Sequence, residues 1–164
     1  MSHPAFVRNE RGHYQVIGEV SRDDIIHTAS ALLQQTITHS ELMNNAKLVG
    51  NYLQLQLAQQ SNEQFCVMFL NNQHQLIAFE TLFSGTIDQA PVFPRVIVQR
   101  ALEHNAAAVI LAHNHPSGTL EASRADRTIT QRIQDALQLI DVRVLDHFIV
   151  STEGWLSFSE SGYL

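Results

Sequence analysis

The sequence predicts a mixed α/β fold, a single sheet with helices packed around it, and three observations carry that reading. The near-continuous apolar run Ala107-Ala108-Val109-Ile110-Leu111-Ala112 is what a strand buried on both faces requires. Segments with apolar residues at three- and four-residue spacing stand on either side of it, as amphipathic helices do. Two pairs of short strand-like segments are each joined by a turn signal. The resulting order is helices, hairpin, helix, strand, helix, hairpin, which places helices against one mixed sheet.

Each element has its own local cause. Met1 to Val20 read as an irregular or short-stranded arm. Ser21-Arg22-Asp23-Asp24 opens a helix with Ser21 as N-cap and acids in the first turn, running to about Gln35. A second helix follows Ser40, its stripe made by Leu42, Ala46, Val49, Leu53 and Leu57, and Gln59-Gln60-Ser61-Asn62 ends it. Strands are expected over Gln64–Leu70 and Gln75–Leu82, with Asn71-Asn72 supplying a turn because Asn tolerates positive φ, and Gly85 closing the second strand. Pro91 and Pro94 start a helix that continues to about Asn105. After the buried run and the loop Pro116–Ala122, a helix opens at Ser123 and turns Ile129, Ile133, Ala136, Leu137 and Ile140 to the core. Val142–Val150 and Trp155–Phe158 are two closing strands linked at Glu153-Gly154.

Composition limits the function. A chain of 164 residues suits one domain with a short N-terminal extension, divided here as 1–39 and 40–164. Its single cysteine, Cys66, allows no intramolecular disulfide and sits in an apolar run as a buried small side chain. No stretch approaches the ~18 apolar residues of a membrane span. Arg8, Glu10 and Arg11 stand where a secretory leader needs its apolar region, so a cytoplasmic location is expected. The formal net charge is −6 and the basic residues are scattered, which speaks against nucleic acid as a partner. Of nine histidines, six lie in polar surroundings with no partner spacing; His113, His115 and His147 need an explanation.

The segment His113-Asn114-His115-Pro116-Ser117-Gly118, followed by Ser123-Arg124-Ala125-Asp126, carries the chemistry. Residues i and i+2 of an extended chain share a face, so both imidazoles converge at the strand's end. Pro116 stops the strand and Gly118 lets the loop return. With Ser123 as N-cap, Asp126 falls in the first helical turn and can bring its carboxylate to the histidines. Two nitrogens and one oxygen leave a fourth tetrahedral position for water, the pattern of a catalytic Zn2+ site with one ion per chain. A bare His-x-His pair or a Ser-x-x-Asp cap alone is common by chance; their combination behind a buried strand favours the metal site.

His-x-His, seven residues, Ser, two residues, Asp resembles the JAMM metalloprotease motif, met here by His113, His115, Ser123 and Asp126. His-Asn-His-Pro-Ser-Gly with Ser-Arg-Ala-Asp is similar to the bacterial RadC-like branch. So are Asp146-His147 and Phe83-Ser84-Gly85-Thr86 followed by Pro94-Arg95. The resemblance covers roughly Ser40 to Phe158 and implies a JAMM/MPN architecture, which is cytidine-deaminase-like. RadC proteins often carry an N-terminal helix-hairpin-helix region; a full one is not expected here, and DNA association inferred from it does not transfer.

The resemblance further implies a zinc metallopeptidase acting on peptide or isopeptide bonds of a peptide or protein substrate. In it a glutamate from an early strand polarises the zinc-activated water and passes the proton to the leaving amine. Glu63 and Glu80 both qualify; Glu63 is preferred because it follows the long helix directly, in the family's order. The matching serine, Ser123, would stabilise the oxyanion besides capping its helix. Asp146 and His147 read equally as a pair orienting a ligand or as buried, hydrogen-bonded groups. Three other functions compete: a DNA repair or recombination accessory, a metal-stabilised interaction module without catalysis, and a nuclease suggested by His-Asn-His. The acidic charge opposes the first, the intact ligand set the second, and the spacing to Ser123 and Asp126 the third.

Overall fold

The computed structural model describes residues 4–39, 45–85 and 91–164. Nine of the elements follow the expected order, and the arm ahead of them forms a small hairpin. Strands β1 (Phe6–Arg8) and β2 (Tyr14–Val16) pair antiparallel, separate from the main sheet. Helix α1 (Arg22–His39) starts on a reciprocal cap: Ser21 Oγ accepts from the Asp24 N–H and the Asp24 carboxylate accepts from the Ser21 N–H. It continues a turn past Gln35, because Thr36-Ile37-Thr38 contains no helix-breaking residue. Helix α2 (Ala46–Leu57) starts later than expected, since Asn45 is the cap, its side chain accepting from the Leu48 N–H at 2.9 Å. The Leu42 end of the predicted stripe lies outside the described residues, as does Thr86.

The main sheet contains β3 (Gln64–Leu70), β4 (Leu76–Ser84), β5 (Ala108–Asn114), β6 (Arg143–Ser151) and β7 (Gly154–Ser157), in the order β4-β3-β5-β6-β7. Only β5 and β6 run parallel. Their connection carries helix α4 (Arg124–Gln138), as a parallel crossover needs a helix's length to return the chain. Helix α3 (Pro94–Glu103) precedes β5. The turn between β3 and β4 departs from the two-residue expectation. Asn71 Oδ1 accepts from the backbone of Gln73 and Gln75, and the positive φ falls on His74 at 57°. Asn71 thus shapes the turn with its side chain as well as its backbone, whose N–H donates to the Gln75 carbonyl and whose carbonyl accepts from the His74 N–H.

All seven residues of β5 are buried, and they alternate between two cores. Ala108, Ile110 and Ala112 pack with Val49, Tyr52, Leu53 and Leu57 of α2. Val109 and Leu111 pack with Ile97 and Ala101 of α3 and Ile133 and Leu137 of α4. The sheet is therefore covered on both faces, and the parity of β5 decides what each residue at its end can reach.

Candidate metal centre

β5 runs two residues beyond the apolar sequence, so His113 and Asn114 are still strand residues, paired in register with Ile149 and Val150. His113 shares the parity of Val109 and Leu111 and faces α4; Asn114 faces the other way. His115 follows the same direction after one further bond, its N–H donating to the Val150 carbonyl at 2.9 Å. At the start of α4, Ser123 Oγ accepts from the Asp126 N–H at 3.0 Å while Asp126 Oδ2 accepts from the Ser123 N–H at 2.8 Å. That capping box holds the carboxylate, whose Oδ1 lies beside His113 near the end of β5.

The three side chains meet. One ligand atom from each of His113, His115 and Asp126 lies within 4.8 Å of the others. The Nε2 atoms of the two histidines are 2.9 Å apart, and His113 Nε2 is 3.4 Å from Asp126 Oδ1. His115 Nε2 lies 3.8 Å from Asp126 Oδ2. On its other side, His115 Nδ1 is 2.9 Å from the Thr119 carbonyl, which can only accept, so Nδ1 carries the proton and Nε2 its lone pair. His113 is 1 % exposed, and burial pushes its imidazole down to about 4, with Asp126 opposing and His115 adding to the shift. The His113 ring is thus neutral at physiological pH. Two imidazole nitrogens and a carboxylate oxygen crowded on one point fit a divalent cation such as zinc.

Glu63, just ahead of β3, lines a cavity of about 220 Å³ together with Phe65, Val92, His113, Ala125, Asp126 and Ile129. Phe65 pairs with His113 across the sheet, its ring stacked on the imidazole at 6.1 Å and 9°. Glu80 sits elsewhere. It accepts from Arg100 Nε at 2.8 Å and contacts His104 Nε2 at 2.7 Å, and the guanidinium holds its carboxyl below the usual range.

Asp146 and His147 part company. Asp146 is a buried anchor that accepts from the Ser157 hydroxyl at 2.5 Å and the backbone N–H groups of His147 and Ser159. Burial nonetheless raises its carboxyl. His147 turns toward the centre, its Nε2 2.8 Å from His113 Nδ1 and its Nδ1 2.7 Å from Thr130 Oγ1. Two supporting residues had no reading in the sequence. Thr130 is four residues after Asp126 on the buried stripe of α4. Asn114 is buried, takes the Gln64 N–H at 2.7 Å and donates to the Gln60 and Asn62 carbonyls, tying the turn before Glu63 to β5. A polar residue alternating with two same-face histidines was the available signal, since it has to be buried on the opposite face and hydrogen-bonded there.

A family model described as the RadC-like JAB domain matches residues 43–163. The chain belongs to the RadC-like JAB family. A UPF0758 protein of Methylibium petroleiphilum is 48% identical over 158 residues, covering 94% of this chain and 71% of the relative. UPF0758 proteins of Tolumonas auensis and Stenotrophomonas maltophilia (strain K279a) are 50% and 52% identical over 140 residues, 85% of this chain and 62% and 60% of theirs. The chain thus spans between three fifths and about seven tenths of these relatives' length. The mixed five-stranded sheet with helices on both faces is consistent with a JAB/MPN-like fold, as expected. Among the described residues no helix is long and apolar enough to cross a membrane.

Proposed function

We propose that this RadC-like JAB domain is a zinc-dependent hydrolase of peptide or isopeptide bonds. The observation that carries the reading is one cavity in which Glu63 stands beside His113 and Asp126, with His115 completing a cluster of ligand atoms within 4.8 Å. His113, His115 and Asp126 would hold the ion. Zinc in such a site supplies Lewis acidity, polarising a carbonyl and acidifying water to a pKa of about 7. Glu63 takes the proton of the attacking water and returns it to the leaving amine. Ser123 Oγ accepts the capping bond from Asp126, which leaves its own proton to donate to the oxyanion. Glu80, held by Arg100 and His104, is a structural carboxylate.

The test is a screen of peptide and isopeptide substrates with the zinc-loaded protein, followed by Glu63→Gln and Glu80→Gln. Glu63→Gln is expected to keep its zinc and lose roughly 10²- to 10⁴-fold in kcat. Glu80→Gln should retain turnover. Full activity in Glu63→Gln would remove Glu63 from the mechanism.

A further inference from the structure

A buried chain of hydrogen bonds runs behind the metal centre. It begins at the Asp126 backbone carbonyl, passes through Thr130 and His147, and ends on His113. Thr130 is 2 % and His147 0 % exposed, so solvent does not complete these bonds. The chain has a direction, and one atom sets it.

Thr130 Oγ1 lies 2.5 Å from the Asp126 carbonyl oxygen and 2.7 Å from His147 Nδ1. A carbonyl only accepts, so the single hydroxyl proton is directed to it. His147 Nδ1 then has to donate to the hydroxyl lone pair. His147 is fully buried with its ring packed on Phe65 and Phe158, where an unpaired charge is costly, so the neutral ring has one N–H and its Nε2 is an acceptor. The partner at 2.8 Å, His113 Nδ1, supplies the proton. His113 is left with its lone pair on Nε2, the atom facing His115 and Asp126.

We propose that Thr130 and His147 are positioning residues for the metal centre, with Thr130 setting the polarity of a chain that fixes His113 as the Nδ1–H tautomer. The proposal deepens the reading of this site as one that binds zinc. Because the chain starts on the backbone of Asp126 and ends on His113, it also ties two of the three ligands to each other. Without the hydroxyl, His147 Nδ1–H would be buried with no acceptor, which is costly, and the ring would favour its Nε2–H form. That form donates to His113 Nδ1, moves the proton of His113 to Nε2, and blocks the ligand atom.

The experiment compares wild type, Thr130→Val, which keeps the shape and removes both bonds, and Thr130→Ser, which keeps the hydroxyl. Zinc Kd is measured by competition with a chromophoric chelator, and imidazole tautomers are read from nitrogen-15 spectra of metal-free protein. Thr130→Val is expected to bind zinc 10- to 100-fold more weakly, in line with other groups that orient metal ligands. Thr130→Ser should bind as wild type does. In the spectra, wild-type His113 and His147 should both be Nδ1–H, with His147 switching to Nε2–H in Thr130→Val. Wild-type Kd and unchanged tautomers in Thr130→Val would overturn the proposal and leave Thr130 a packing residue. Failure of wild type to bind zinc would defeat the metal reading instead, and the spectra would still decide the chain: Nε2–H at His147 in wild type refutes it.

Discussion

Gly50, inside α2, faces the five-membered ring of the Trp155 indole, and adding one methyl group there tests how rigidly the sheet behind the candidate metal centre is packed. A Cβ at this position would lie 2.4 Å from Trp155 Cδ2 and Cε2 and 2.8 Å from Cγ. Carbon atoms in contact normally sit about 3.5–4.0 Å apart, so the indole has to retreat by roughly 1 Å or more. It has little room to do so. Its Nε1–H donates to Asn51 Oδ1 at 3.1 Å, and its ring meets the buried Phe148 edge-on at 5.7 Å. Forced overpacking of this kind costs about 1–3 kcal/mol, whereas Gly→Ala in a helix interior gains about 1 kcal/mol. Gly50→Ala is therefore expected to lose up to about 2 kcal/mol net, lowering Tm by up to roughly 8 °C for a chain of this length. Urea unfolding of wild type and Gly50→Ala measures it, and the same pair in a Trp155→Leu background isolates the cause. There the clash is gone, and Ala should be neutral or stabilising. A Gly50→Ala protein more stable than wild type would refute the reasoning.

Three other outcomes follow from the same contacts. Saturating zinc at about 100 times its Kd should stabilise the protein by about 2.7 kcal/mol, a Tm rise of roughly 5–11 °C that a chelator reverses and that His113→Ala lacks; no shift in wild type would count against the site. Asn114→Ala, which strips three part-buried hydrogen bonds between β5 and the segment around Glu63, should cost about 2–4 kcal/mol and depress turnover while zinc still binds; unchanged urea midpoints would show that the tie is unimportant. Burial pushes the Cys66 thiol up to about 11 and, with Cys66 adding to it, the Tyr52 hydroxyl up to about 12. Both folded values lie above the unfolded ones of 9.0 and 10.0, so the stability linked to them is intact below pH ~8.5 and is lost as pH rises toward 11 and 12. Alkaline urea melts should show that fall, and a thiol reagent at pH 8 should label Cys66 only in denaturant; rapid labelling of native protein would contradict its burial.

The sequence by itself determined most of the elements and the identity of the three converging side chains, His113, His115 and Asp126. Apolar spacing is a local property, and the double burial of β5 is written in Ala107–Ala112 as an unbroken apolar run. The His-x-His step and the Ser-x-x-Asp cap are also local, because strand alternation and a helix start each fix a direction within four residues. What lay beyond local reach is everything set by distance across the fold. Glu63 and Glu80 could not be separated by spacing alone; the sheet puts one in the cavity of His113 and Asp126 and gives the other to Arg100 and His104. Two readings of His147 were equally open until β6, packed beside β5 in parallel, brought its ring to His113 and Thr130. Thr130 and Asn114 are ordinary residues in the sequence, and only the burial imposed by three packed layers makes their hydrogen bonds obligatory.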